Sequence, residues 1–213
     1  MTFFPVGGFY LGRTNLLQVS LLAGGKSSRM GSDKLFLPYQ NQPIIQYMVN
    51  KLKNSGFSVL IIGNSNNQEK IHNNLIRNEV PVYQDLIPDK GPMGGIYSSL
   101  SYSPDPYVFV MAVDLLLFVP ALIRYLEKFI LYYDIVVPKT QKGYEPLFAI
   151  YKQTCTSVIL KMILENDLKI SNCFEKVVVK EVGFDEIKHL DPFLKSFRNI
   201  NTKEDYEEII RKE

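Results

Sequence analysis

Apolar residues along this chain fall into two alternating patterns. Short unbroken runs, "LLQVSLL" (16–22), "FSVLIIG" (57–63), "VPVYQD" (80–85) and "YVFVMAVD" (107–114), predict strands buried on both faces. Segments with helical spacing lie between them. In "QPIIQYMVNKLKNSG" the residues Ile44, Ile45, Met48, Val49 and Leu52 share one helical face, and Gly56 stands where a C-terminal cap belongs. "QEKIHNNLIRN" and "GGIYSSLSYS" predict further helices. So does "PALIRYLEKFILYY", opened by Pro120 and carrying Leu122, Tyr125, Leu126 and Phe129 at helical intervals. "DIVVPK" returns to strand.

Strand and helix alternate through at least four units, which predicts an α/β, doubly wound, Rossmann-like fold with a mainly parallel sheet. Beyond about residue 140 the rhythm changes. "KGYEPLFAIYK" reads as one strand, "TCTSVILKMILEND" as a helix and "EKVVVKEVG" as a strand at a sheet edge. "SFRNINTKEDYEEIIRKE" reads as a loop and a final helix capped by Asn201 or Thr202. With no repeat or linker, residues 16–213 form one compact domain. Residues 1–15, broken by Pro5, Gly7 and Gly8, read as an N-terminal extension. Ligands of such sheets bind at the carboxyl ends of the strands. Three features fall there: the glycine loop after the first strand, Asp85 and Asp114.

Composition narrows the chemistry. At 213 residues and 46% hydrophobic the chain can bury a full core. Lys+Arg number 24 against 22 Asp+Glu, a net charge of +2 that argues against a nucleic-acid surface and makes any basic site local. Cys155 and Cys173 match no zinc or redox spacing and read as core thiols in a reducing cytoplasm. No apolar stretch reaches the length of a membrane span.

The loop "LLAGGKSSRMGSDK" (21–34) carries the chemistry. Glycine allows backbone N–H groups to converge on an anion. The spacing matches neither a P-loop nor the G-x-G-x-x-G dinucleotide fingerprint, and "LIIGNSN" ends the second strand without a ribose-binding carboxylate. What is present is Gly24–Gly25, then Arg29, Asp33 and Lys34. A guanidinium fork and a point charge suit a polyphosphate. Asp114, at the end of an apolar strand and six residues before Pro120, suits Mg²⁺, which takes the rest of its shell from water and substrate phosphates. Asp85 offers either a second carboxylate or simply a turn residue before "LIPDKGPMGG".

These residues resemble the molybdenum cofactor guanylyltransferases, whose first block reads close to L-A-G-G-x-S-x-R-M-G-x-D-K. "DKGPMGGIYSSL" is similar to that family's G-P-L-x-G segment and "VMAVDLLLFVPALI" to its Asp-x-Pro and helix. "EPLFAIY" and "FRNINTKEDYEEI" are similar to its Pro-Leu-x-Ala and Asn-x-Asn-Thr segments, so the blocks run in order over about 16–210. The resemblance implies a nucleotidyltransferase that moves GMP from MgGTP to the terminal phosphate of molybdopterin or its molybdenum-loaded form. Pyrophosphate leaves, and the product is a guanine dinucleotide cofactor. Client molybdoenzymes or their chaperones are further partners it raises. Carried over residue by residue, Leu22, Ala23, Gly24 and Gly25 line the nucleotide and Lys34 contacts its phosphates. Asn64 and Asp85 hold the guanosine, Gly91 and Gly95 help select guanine, Asp114 binds nucleotide and Mg²⁺, and Asn199 and Asn201 face the pterin. Arg29, Lys34 and Asp114 form the catalytic set. The attacking phosphate is already ionised near pH 7, so no general base is required.

Two departures stand out. Leu116 replaces the family's proline two residues after Asp114, and Gly94 stands where alanine is frequent, which reads as a mild change. Related readings are a cytidylyltransferase for the same pterin and a sugar-phosphate nucleotidyltransferase. Cytidine-selective relatives carry L-A-A-G and lack G-P-x-x-G, so Gly24 and the 91–95 loop favour guanine. A nicotinamide oxidoreductase would need the missing third glycine and ribose carboxylate. A non-catalytic nucleotide-binding subunit is the reading that Leu116 raises.

Overall fold

A computed structural model describes residues 16–24, 34–65, 67–75 and 80–211. The central strand is β1 (Leu17–Leu22), paired in parallel with β4 (Ser58–Gly63) on one side and β6 (Tyr107–Ala112) on the other. Beyond β4 lies β5 (Val82–Gln84). Beyond β6 lie β9 (Phe148–Lys152), β7 (Ile135–Thr140) and β10 (Val179–Val182), with β8 (Gly143–Tyr144) hairpinned onto β7. Along that seven-strand path only β9 runs against the rest. The sheet is therefore mainly parallel.

The unbroken apolar runs resolve into two faces because side chains alternate along a strand. Leu17, Val19 and Leu21 of β1 join Val59, Ile61, Phe109 and Met111 in one core. Leu22, Leu60, Ile62, Val108 and Val110 join the other. Helices α1 (Ile44–Asn54), α2 (Gln68–Leu75), α4 (Pro120–Glu127), α6 (Phe184–Lys188) and α7 (Lys203–Arg211) cover the first face. Helices α3 (Gly91–Tyr102) and α5 (Cys155–Leu164) cover the second. On α1 the five expected apolar residues are the buried ones, and Gly56 ends it at φ +80. Thr202 caps α7: its Oγ1 accepts from the Asp205 N–H at 3.1 Å. None of the helices among the described residues is long and apolar enough to cross a membrane.

Four local expectations need correction. Helix α3 starts at Gly91 rather than Gly94, because Gly91 takes φ +58 and Pro92 fits the first turn. The 142–152 run is two strands, since the 3.0 Å bond from the Phe148 N–H to the Glu145 carbonyl turns the chain between them. "EKVVVKEVG" is strand only from Val179, its first residues belonging to a 3-10 turn. A small hairpin, β2 (Pro38–Tyr39) and β3 (Gln42–Pro43), was not expected; Gln40 and Asn41 close it at φ 47 and 62.

Candidate active site

The order β10-β7-β9-β6-β1-β4-β5 reverses direction at β1: the chain steps outward to β4 and β5, then returns to β6 on the other side. A crevice forms at the carboxyl ends of strands at such a point. A cavity of about 560 Å³ opens there, between the ends of β1, β4 and β5 and the first turn of α3. Leu22, Gly24, Asn64, Asp85, Gly91 and Gly95 line it, six of the residues singled out in the sequence. Gln84, Asp89, Ser65 and Pro88 line it too and carried no sequence signal.

Each glycine has its own steric reason. A Cβ on Gly95 would meet Leu22 Cδ1 at 3.0 Å, so α3 seats directly on the end of β1. A Cβ on Gly94 would meet the Ile87 carbonyl oxygen at 2.6 Å and the Asp85 carboxylate at 3.1 Å. Glycine in place of alanine at 94 is therefore not the mild change expected; here the close 85–87 loop requires it. Gly24 is the opposite case, with nothing among the described residues within 4 Å of an added Cβ.

Asparagines tie the strand ends together. The Asn67 amide donates to the Ala23 carbonyl at 2.7 Å, its Oδ1 accepts from the Asn64 N–H at 2.9 Å, and its own N–H donates to Asn64 Oδ1 at 3.0 Å. Ala23 is buried and serves as this anchor; it does not itself line the cavity. Asp85 acts in the same way on the far wall. Its Oδ1 accepts from Ser98 Oγ at 2.7 Å and from the Ile87 N–H at 3.1 Å, binding the loop to α3. Fully buried Ser20 and Ser99 share a 2.7 Å bond from β1 to α3. Asn67, Ser98 and the serine pair escaped the sequence reading. The only signal was the polar cluster "NSNNQ" after β4, which reads equally as a turn.

Lys34 and Asp114 meet on the β6 side. Leu35, 2% exposed, anchors the 3-10 turn that carries Lys34, whose Nζ lies 3.2 Å from Asp114 Oδ2. The side chains are 24% and 19% exposed, so the pair is half-shielded. Asp114 sits in the turn just past β6, tied to β1 by the 3.2 Å bond from the Val113 N–H to the Leu22 carbonyl. Leu116 is fully buried in the core, and the turn closes without proline through a 3.2 Å bond from the Phe118 N–H to the Leu115 carbonyl. Asn199 and Asn201 are exposed and flank buried Ile200, whose N–H donates to the Asp114 carbonyl at 3.0 Å. They stand beside Asp114 and do not line the cavity. Gly25 and Arg29 lie outside the described residues.

The Oδ1 atom of Asp114 lies outside the Lys34 pair. The described residues hold no cluster of three His, Cys, Asp or Glu. One carboxylate beside a lysine suits a divalent ion whose remaining ligands are phosphate oxygens and water. Asp114 thus fits such an ion.

Comparisons with known proteins identify the fold and the family. A family model described as the MobA-like NTP transferase domain matches residues 19–178. A probable molybdenum cofactor guanylyltransferase of Clostridium perfringens is 36% identical over 91% of this chain and 96% of its own length. Another, of Carboxydothermus hydrogenoformans, is 31% identical over 92% and 95%. The crystal structure of molybdopterin-guanine dinucleotide biosynthesis protein A from Archaeoglobus fulgidus superposes with a TM-score of 0.78 at 26% identity. It covers 92% of this chain and 100% of that one. By sequence and architecture alike, the chain belongs to the MobA-like NTP transferase family and is a nucleotidyltransferase.

Proposed function

We propose that the chain transfers GMP from GTP to the terminal phosphate of molybdopterin, or of its molybdenum-loaded form, producing the guanine dinucleotide cofactor and pyrophosphate. The observation that carries this is the adjacency of two sites. A glycine-walled cavity of nucleoside scale, within the roughly 300–1,000 Å³ of small-molecule sites, is joined to the Lys34–Asp114 pair through cavity-lining Leu22, whose carbonyl accepts from the N–H of Val113, the residue before Asp114.

The guanosine occupies the cavity against Leu22, Gly24 and Gly95, with Asn64 and Asp85 on its polar walls and Gly91 at the mouth of α3. The triphosphate extends toward Lys34 and, by the spacing of the glycine loop, toward Gly25 and Arg29. Lys34 holds phosphate oxygens, and Asp114 holds the Mg²⁺ of the nucleotide. That ion, when bound, supplies charge neutralisation where the α-phosphate is attacked. An oxygen of the acceptor phosphate forms the new bond to the α-phosphorus as the bond to the β-phosphate oxygen breaks. Pyrophosphate takes the electron pair. Both partners are anions, so alignment and cations lower the barrier. Asn199 and Asn201 hold the pterin side, next to Asp114.

The setting is cytoplasmic. Cys155 and Cys173 are buried free thiols, which burial pushes up to about 12 and about 11. Such thiols are inert in the way of core residues. The deciding experiment measures magnesium-dependent pyrophosphate release with molybdopterin and GTP, CTP or ATP in parallel. Release with GTP alone is expected; preference for CTP would make the chain a cytidylyltransferase.

A further inference from the structure

The segment 191–201 is strapped across the acceptor side of the site by a buried carboxylate. Asp191 is 2% exposed, and it accepts from the Lys195 N–H at 2.9 Å and the Ser196 N–H at 2.7 Å. These bonds close the 3-10 turn Lys195–Phe197. Ser196, itself fully buried, then turns its Oγ outward from that turn to accept from the Val119 N–H at 2.9 Å. Four residues later, the Ile200 N–H reaches the Asp114 carbonyl at 3.0 Å. The strap is therefore fixed at two points, 119 and 114, to the stretch that carries Asp114. Leu194, just before the 3-10 turn, is held at φ 53 in left-handed backbone, a conformation that persists only when its surroundings enforce it.

A carboxylate buried without an ion pair among the described residues, with only the Lys51 charge acting on it from nearby, is costly unless its hydrogen bonds do something the fold needs. Here the two N–H groups it takes are those that set the direction of residues 198–201.

We infer that Asp191 and Ser196 are positioning residues for the acceptor phosphopterin: through the strap they set Asn199 and Asn201 relative to Asp114. The inference rests on the reading of those asparagines as the pterin side. The guanosine cavity, walled by β1, β4, β5 and α3, shares no residue with the strap. Loosening the strap thus leaves the walls of that cavity untouched and acts first on the acceptor side.

The test is steady-state kinetics of the full chain with Asp191→Asn, Asp191→Ala and Ser196→Ala, each beside Asn199→Ala and Asn201→Ala. Losing backbone bonds to a charged acceptor raises the acceptor KM roughly tenfold in Asp191→Ala and less in Asp191→Asn, which keeps one acceptor oxygen. GTP affinity, measured by titration, stays within about twofold. Ser196→Ala, which leaves the Asp191 bonds intact, guards against misfolding of the Asp191 variants and gives the same acceptor-selective loss. If the asparagine variants raise the acceptor KM while Ser196→Ala and Asp191→Asn do not, the strap inference is wrong and the acceptor reading stands. If the asparagine variants change nothing, both fall. An equal loss of GTP and acceptor affinity would also overturn it, since that is the mark of general destabilisation.

Discussion

Gly24 and Gly94 look alike in the sequence and do different work. At Gly94 an added methyl would lie 2.6 Å from the Ile87 carbonyl oxygen, a backbone atom that moves only with its loop. Gly94→Ala should lower stability by about 1–3 kcal/mol, the range for forced overpacking, and loosen the loop that walls the cavity. At Gly24 the added methyl meets nothing among the described residues. Gly24→Ala should melt with the parent and bind GTP more weakly, because the space it fills is the ligand's. Thermal melts and GTP titration of the two variants give opposite profiles if this is right; a destabilised Gly24→Ala would contradict it. Lys34 and Asp114 are argued at the same scale. Each is partly exposed and each neutralises the other, so their pairing adds little to folding, roughly 1 kcal/mol or less. Lys34→Ala and Asp114→Ala should each keep the parent's melting behaviour and remove most turnover. An Asp114→Ala enzyme that retains full magnesium-dependent activity would remove the metal from that residue.

At the scale of elements, helix α1 joins the core to the strap. Its Lys51 lies with Nζ 4.4 Å above the Phe118 ring and 5.6 Å from that of Tyr47. Burial first, then the charge of Lys195, with Asp191 opposing both, bring this amine down to about 8. The sign of the consequence follows from proton counting. Between about pH 8 and the ordinary lysine value the unfolded chain binds more protons than the folded one, so stability attributable to Lys51 rises with pH across that window. Below it, the cost of holding the buried charge is fully present. The parent should therefore gain stability relative to Lys51→Met as pH is raised from 8 to 10, in denaturant titrations at matched ionic strength. A difference that stays constant would show that Lys51 keeps its proton throughout.

Across the whole molecule, legibility followed the range of the interaction. The unbroken apolar run 16–22 is local, and so are the face of α1 and the caps at Gly56 and Thr202. All of these could be read. So could the crevice, because the glycine loop, Asp85 and Asp114 each follow a strand and the sheet topology gathers such ends. What could not be read depends on partners far apart in the chain. Asn67 reaches Ala23 across 44 residues and Ser196 reaches Val119 across 77. An asparagine in a polar run and a serine in a loop carry no mark of that. Strand direction was equally silent: β9 has the same apolar alternation whichever way it runs, and its antiparallel course follows from the tight turn between β7 and β8, after which β8 and β9 both run back against β7.

The position of β1 has a consequence in time. Its backbone is hydrogen-bonded on both edges and all six of its residues are buried. Amide protons there can reach solvent only when the sheet itself comes apart, so their exchange reports global unfolding. The crevice wall at 85–91, tied down by side chains and short bonds, opens locally. In deuterium-exchange mass spectrometry, peptides from β1 should exchange last, and GTP should slow them only by the amount by which it stabilises the whole fold. Peptides covering 85–91 should exchange early and slow markedly when GTP binds. The molecule would thus keep a slow clock at its centre and a fast one at the place where substrate enters.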